Sequence, residues 1–294
     1  MKKIVFFILL LLFIIEISFI CFATEQTEEK EDFYSQLCRG IIRLEHNEEI
    51  KEISSNKITN INRPNGTAFF VRSGDDLFVV TARHVVEKEY DLHARVQCKN
   101  RITGDNEVIL LKLKRDKWVF HPEDESIDTN YVDVAVMKIG WIADRGIKHF
   151  RYELPNTEEA NQNQLPFEDP LPPDSILVFG FPLDIGFKLS EQKPLCRLGI
   201  VSIVTGKKFL KTDNGKFAEE KTILIDSNMF PGNSGSPVIK QLTPFEPEIK
   251  LFGLVIATNE RMNYALMEPV SRIRETIEIA KESLKATGCW FLRN

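Results

Sequence analysis

"YELPNTEEANQNQLPFEDPLPPD", residues 152–174, is the stretch on which the reading of the fold turns. It mixes prolines, amides and acids and shows neither the two-residue nor the helical spacing of apolar side chains. It therefore reads as a linker or a long surface loop. Before it come "GIIRLEH", "GTAFFVR", "LFVVTA", "EVILLKLK" and "VDVAVMKIG"; after it come "SILVFGFP", "CRLGIVSIV", "KTILID", "SPVIKQ", "EIKLFGLVIAT" and "NYALMEPV". Each is a short apolar run rich in β-branched residues, the composition of a pleated, half-buried strand. Two sets of about six strands around one break predict an all-β fold of two antiparallel barrels or sandwiches.

The period then changes. Val270, Ile273, Ile277, Ala280 and Leu284 share one helical face, and Arg272, Glu275, Glu278, Lys281 and Glu282 lie elsewhere. This predicts an amphipathic helix that packs onto the second β domain and stops at Gly288. The expected organisation is an N-terminal targeting segment (1–23), an acidic lead-in (24–35), a first β unit (36–150), the break (151–174), a second β unit (175–270) and the helix (271–288).

The targeting segment rests on Lys2 and Lys3, an apolar run from Ile4 to Ile20, and small residues Cys21 and Ala23 before a possible cut. An uncleaved anchor is the alternative, which Glu16 within the run disfavours because a carboxylate at bilayer depth is costly. The expected location is outside the cytoplasm, secreted or in the cell envelope. Removing the segment leaves Cys38, Cys98, Cys196 and Cys289. Four cysteines permit two disulfides in three connectivities, and four separate buried thiols fit equally. The net charge of −5 and the lack of a basic block exclude nucleic acid as an expected partner. No metal-ligand spacing occurs, and no cofactor is expected.

The chemistry-bearing stretch is "NMFPGNSGSPVI", residues 228–239. Gly232 and Gly235 flank Ser234 and admit backbone shapes that strain other residues. Such a turn can aim the N–H groups of Gly232 and Ser234 at one point, where an oxyanion would sit. A serine nucleophile also needs a base, and a carboxylate to orient that base. His84 follows the apolar strand in "LFVVTARHVV", in a short turn at a domain edge. His46, His93, His121 and His149 have no comparable context, and His93 reads as an ordinary strand residue. Asp133 opens the apolar strand in "NYVDVAVMKIG", where an unpaired charge is expensive. Pairing with a histidine N–H explains it, whereas Asp124, Glu125 and Asp128 read as solvated loop residues.

Taken together, "GTAFFV…LFVVTARHVV", "DVAVMKI", "GFPLDIGF…GIVSIV" and "PGNSGSPV" occur in the order of chymotrypsin-like serine proteases. Across roughly Gly40 to Ser271 the chain resembles the bacterial trypsin-like and HtrA-type branch. The resemblance implies two six-stranded antiparallel barrels, with His84 and Asp133 from the first and Ser234 from the second meeting in the cleft. It implies a Ser-His-Asp triad, an oxyanion hole of Gly232 and Ser234, protein or peptide substrates, and a structural role for Ser236.

Three departures carry expectations of their own. Asn233 stands where digestive members have the Asp that captures a new N-terminus, so "CRGIIRL" is not expected to act as an activation switch. No PDZ domain is expected after the protease. Asn228 is uncharged at the position six before the nucleophile, and "GLVIATNE" resembles the substrate-lining strand. Asn228, Ile256, Ala257 and Thr258 are thus the candidate pocket, for a neutral, apolar or small P1 side chain. An inactive homologue that uses the cleft for binding is the competing reading. An esterase-type hydrolase fits less well, because the order His, Asp, Ser and the lack of β-α-β alternation argue against it.

Overall fold

A computed structural model describes residues 37–51, 58–74, 76–100, 102–121, 132–141, 152–153, 168–182, 193–205, 222–241, 250–259 and 263–286. The chain divides into two units, 1–36 and 37–294, and every described residue lies in the second. The targeting segment, the acidic lead-in, most of the break, Asp124, Glu125, Asp128, His149, Gly288 and Cys289 lie outside the described residues.

The first half forms one sheet. Its strands are β1 (Ile41–Lys51), β2 (Ile58–Ser73), β3 (Asp76–Thr81), β4 (Leu92–Asn100), β5 (Asn106–Leu113), β6 (Val119–Phe120), β7 (Ala135–Trp141) and β8 (Tyr152–Glu153). They run in the order β5-β4-β1-β2-β3-β7-β6, with β8 on β4. Among the described residues it counts eight strands, where the sequence reading expected six closing into a barrel. Among the described residues no ladder closes it, since β5 pairs with β4 and the two-residue β6 pairs with β7. The extra members are the very short β6 and β8, too brief to register as apolar runs. The long β1 pairs with β2 and with β4, and its register with β2 shifts between Leu44 and Glu45, where Asn65 of β2 is the extra residue.

The second half is a closed barrel, in the order β10-β11-β14-β13-β12-β9. Its strands are β9 (Ser175–Gly180), β10 (Leu195–Thr205), β11 (Thr222–Asp226), β12 (Pro237–Lys240), β13 (Leu251–Asn259) and β14 (Tyr264–Pro269). Ile176, Val178, Val201, Ile223, Ile225, Val238, Phe252, Val255 and Met267 fill it. Alternation along the strands sends these residues inward.

The four-residue α1 (Arg83–Val86) follows β3, and α2 (Val270–Ala286) follows β14. Val270, Ile273, Ile277 and Ala280 are buried, as the helical spacing predicts. Their partners differ from expectation. The helix packs against β6 and β7 of the first sheet as well as β13 and β14 of the barrel. Its apolar face joins the same core as Phe78, Val80, Val136, Leu251 and Leu254. Its rim bonds the first half too: Glu275 to buried His121 at 3.0 Å and Lys281 Nζ to Ser73 Oγ at 2.7 Å. The helix therefore seals the seam between the halves. No disulfide joins Cys38, Cys98 and Cys196. Burial, and then the charge of Glu107, pushes the Cys98 thiol up to about 11. No described helix is long and apolar enough to cross a membrane.

Candidate active site

His84 owes its position to β3, whose residues Leu77 to Val80 are almost wholly buried and hold the strand end rigid. Val85 and Val86 anchor the short α1 in the core, leaving the His84 side chain 42% exposed at the surface of the seam. Asp133 lies just before β7, which pairs with β3 from Thr81↔Ala135 onward. This pairing sets the acid beside the histidine. Asp133 Oδ2 lies 2.6 Å from His84 Nδ1, and its Oδ1 accepts the His84 backbone N–H at 2.9 Å. Both carboxylate oxygens are thereby engaged, and the ring is fixed with Nδ1 toward the acid and Nε2 away from it.

Asp133 is itself held from the second half. The buried Glu268 on β14 accepts the Asp133 backbone N–H through Oε1 at 3.2 Å. Sequence reasoning did not single out Glu268. The signal was the one that marked Asp133, a carboxylate inside an apolar run ("YALMEPV").

The serine turn is built from backbone bonds. Asn233 N–H donates to Phe230 O at 3.1 Å, closing a four-residue turn with Pro231 second and Gly232 third. Gly232 has φ +95, which makes this a type II turn, with the peptide between Pro231 and Gly232 turned over relative to type I. Ser236 N–H returns to Asn233 O at 2.9 Å. Gly235 at φ +84 lies so close to the first sheet that a Cβ there would stand 2.1 Å from Thr67 O and 2.2 Å from Thr81 Oγ1. The turn thus packs on the end of β3, just ahead of His84. A Cβ on Gly66 would meet Val85 at 2.8 Å and Ser234 O at 3.2 Å, so one backbone position separates the residue after His84 from the serine.

The remaining donors are informative. Among the described residues the N–H groups of Gly232 and Ser234 donate to no protein acceptor, whereas those of Asn233, Gly235 and Ser236 are all paired. Buried N–H groups are seldom left open. Two open ones on alternate residues of one turn leave two donors free for an acceptor from outside the described residues. Ser234 is partly exposed, and among the described residues its hydroxyl makes no hydrogen bond to His84. Such bonds are commonly long before substrate is bound.

Gly235 N–H also donates to Val255 O at 2.8 Å, and Val255 N–H to Ser236 O at 2.9 Å. These bonds run β13 past the serine, so Ile256, Ala257 and Thr258, all partly exposed, follow directly beside it. A bulge between Val255 and Ala257 shifts that segment out of the regular ladder. Asn228 is exposed at the head of the serine turn and is not bonded to these three residues. Next to it, the Arg197 guanidinium covers the Phe230 ring at 4.7 Å, and burial lowers its proton affinity below the usual value. Ser236 is fully buried. The other described histidines lie elsewhere: His46 against Tyr90, His93 within β4, and His121 beneath α2.

The comparisons with known proteins define one class. The trypsin-like peptidase domain matches residues 66–243, more than half of the chain, and the chain belongs to that family of serine proteases. Among solved structures, the HtrA-type protease AlgW with decapeptide is similar at a TM-score of 0.52 and 15% identity, over 85% of this chain and 66% of that one. The serine endoprotease from Yersinia pestis gives a TM-score of 0.46 and 16% identity, over 85% of this chain and 66% of that one. At this identity the likeness concerns the fold, and this chain spans just under two thirds of AlgW's length. No curated protein matches in sequence.

Proposed function

We propose that the chain is a serine endopeptidase acting on protein or peptide substrates through an acyl-enzyme. The observation that carries this is the pair of open N–H groups at Gly232 and Ser234, in a turn packed beside a histidine already oriented by a carboxylate. In the proposed reaction Ser234 Oγ attacks the peptide carbonyl carbon as His84 Nε2 takes its proton. Asp133 accepts Nδ1–H, holds that tautomer and stabilises the imidazolium. The carbonyl oxygen becomes an oxyanion and receives the N–H groups of Gly232 and Ser234, each donor typically supplying about 3 kcal/mol. Collapse of the tetrahedral adduct breaks the C–N bond, and His84 protonates the leaving amine. Water, deprotonated by His84, then releases the acyl group. The open bulged segment of β13 supports Ile256, Ala257 and Thr258 as the substrate-facing strand, and the neutral Asn228 supports a P1 side chain without positive charge.

The test is labelling with a fluorophosphonate, which phosphonylates an activated serine, followed by peptide mapping. The expected adduct is on Ser234, absent in Ser234→Ala and in His84→Ala. A folded wild-type protein that takes no label defeats the proposal. The N-terminal segment is proposed as a cleaved export signal. An N-terminus starting at Thr24 in protein recovered outside the cytoplasm is the expected result, and retention of residues 1–23 favours the anchor.

A further inference from the structure

Thr67 is the point where three parts of the molecule are tied together. It lies on β2, fully buried, and uses every polar group it has. Its N–H donates to Ser234 O at 2.9 Å, and its Oγ1 donates to Gly232 O at 2.8 Å. Oγ1 in turn accepts the N–H of Phe181, after β9, at 2.9 Å. The Thr67 carbonyl accepts Thr81 Oγ1 at 2.6 Å, at the end of the strand that carries His84.

The consequence follows from peptide geometry. The peptide from Gly232 to Asn233 is held at both ends, its carbonyl by Thr67 Oγ1 and its N–H by Phe230 O. The peptide from Ser234 to Gly235 is likewise held, its carbonyl by Thr67 N–H and its N–H by Val255 O. Peptide units are planar. The unit that carries the open N–H of Ser234 lies between these two held units, and the unit that carries the open N–H of Gly232 adjoins one of them, so the hold narrows the φ and ψ open to both. The residue between them does not supply this restraint from its side chain. Asn233 is 1% exposed, and its Nδ2 has no partner among the described residues.

We infer that Thr67 is the positioning residue that holds the oxyanion-binding form of the serine turn, its hydroxyl restraining the turn from the first sheet. This inference rests on the peptidase reading for its catalytic consequence, while the anchoring itself is a property of the fold. The variants are Thr67→Val, which keeps the shape and removes the hydroxyl, and Thr67→Ser, which restores it. Thr67→Cys, with similar volume and a weak donor, replaces the valine variant if that one does not fold.

Amide exchange of Asn233 and Gly235 reads the anchoring without any need for activity. The expected result is exchange at least about fivefold faster in Thr67→Val and near wild type in Thr67→Ser, as loss of a restraining bond costs about 1 kcal/mol or more. Peptide hydrolysis reads the consequence. In Thr67→Val kcat is expected to fall by about 10- to 100-fold at little-changed KM, because the donors act on the transition state. The inhibition constant of a peptide aldehyde, whose adduct oxygen occupies the same place, is expected to rise in parallel, and Thr67→Ser to recover both. Unchanged exchange, an unchanged kcat in an active enzyme, or a loss that serine does not rescue overturns the inference. A wild-type protein silent to fluorophosphonate but showing the exchange pattern overturns the peptidase reading and leaves the anchor standing.

Discussion

At the residue scale, Asp133 and Glu268 pose one question: why bury a carboxylate in an apolar strand? Asp133 answers with two bonds to His84, and Glu268 with a bond to the Asp133 amide. Their roles differ, and so do the expected variants. Asp133→Asn should leave the fold intact and lower kcat by about 10⁴-fold, as loss of the tautomer-fixing charge does in such triads. Glu268→Leu leaves the Asp133 N–H without its acceptor and should destabilise by about 1–3 kcal/mol, with a smaller fall in kcat. Glu268→Gln keeps an acceptor and should recover most of both. Thermal unfolding with parallel kinetics separates the two sites. Asp133 was legible because a charge beginning "VAVMKI" needs a partner and a histidine stood ready. Glu268 carried the same signal, but its partner is a backbone N–H, which leaves no mark in a sequence.

At the scale of elements, β1 and β4 meet at a buried ion cluster. Glu45, fully buried, bonds Arg95 Nε and Nη2 at 2.8 Å each, and Arg43 Nε at 2.6 Å. Burial pushes the Glu45 carboxyl up, and the bonds and charges of Arg95 and Arg43 outweigh it, holding it below 4.5. A carboxyl with a lowered folded value stabilises the fold above its unfolded value and loses that contribution as pH falls through the folded one. Glu275, held down by Arg272 and His121 against burial, acts in the same direction. Unfolding followed from pH 7 downward should show stability declining below about pH 4.5. Glu45→Gln should be about 3–5 kcal/mol less stable at pH 7, since it strands two arginines, and should lack part of that acid slope. A Glu45→Gln profile parallel to wild type excludes the pairing as its source. The helix α2 offers a second test. Ile273 is fully buried in the shared core, so Ile273→Ala should cost about 2–5 kcal/mol in chemical denaturation.

At the scale of the whole molecule, the core decides how the halves behave. Phe179, Ile239, Leu251 and Leu254 of the barrel share one cluster with Phe78, Val80 and Val136 of the sheet, and α2 closes over both. Unfolding monitored by near-ultraviolet circular dichroism and by tryptophan fluorescence should therefore coincide in one transition, and separated transitions would show that the halves are independent. The neutral Asn233 and the Thr67 restraint also predict that cleavage near Arg39 produces no rise in activity, measured on peptide substrates. By itself the sequence determined the longer strands, the serine turn and the helix, and it pointed to the three residues of the proposed triad. Those features are local: alternation, β-branching, flanking glycines and an unexplained charge are all written in neighbouring residues. Tertiary structure alone decided that the described strands of the first half form an eight-stranded sheet, that α2 spans both halves, and that Thr67 bonds the serine turn and Glu268 the Asp133 amide. These depend on strand register and on bonds between residues far apart in the chain, 165 positions for Thr67 and Gly232 and 135 for Asp133 and Glu268. A backbone carbonyl or amide is the same at every position, so its choice of partner is set only when the chain is folded.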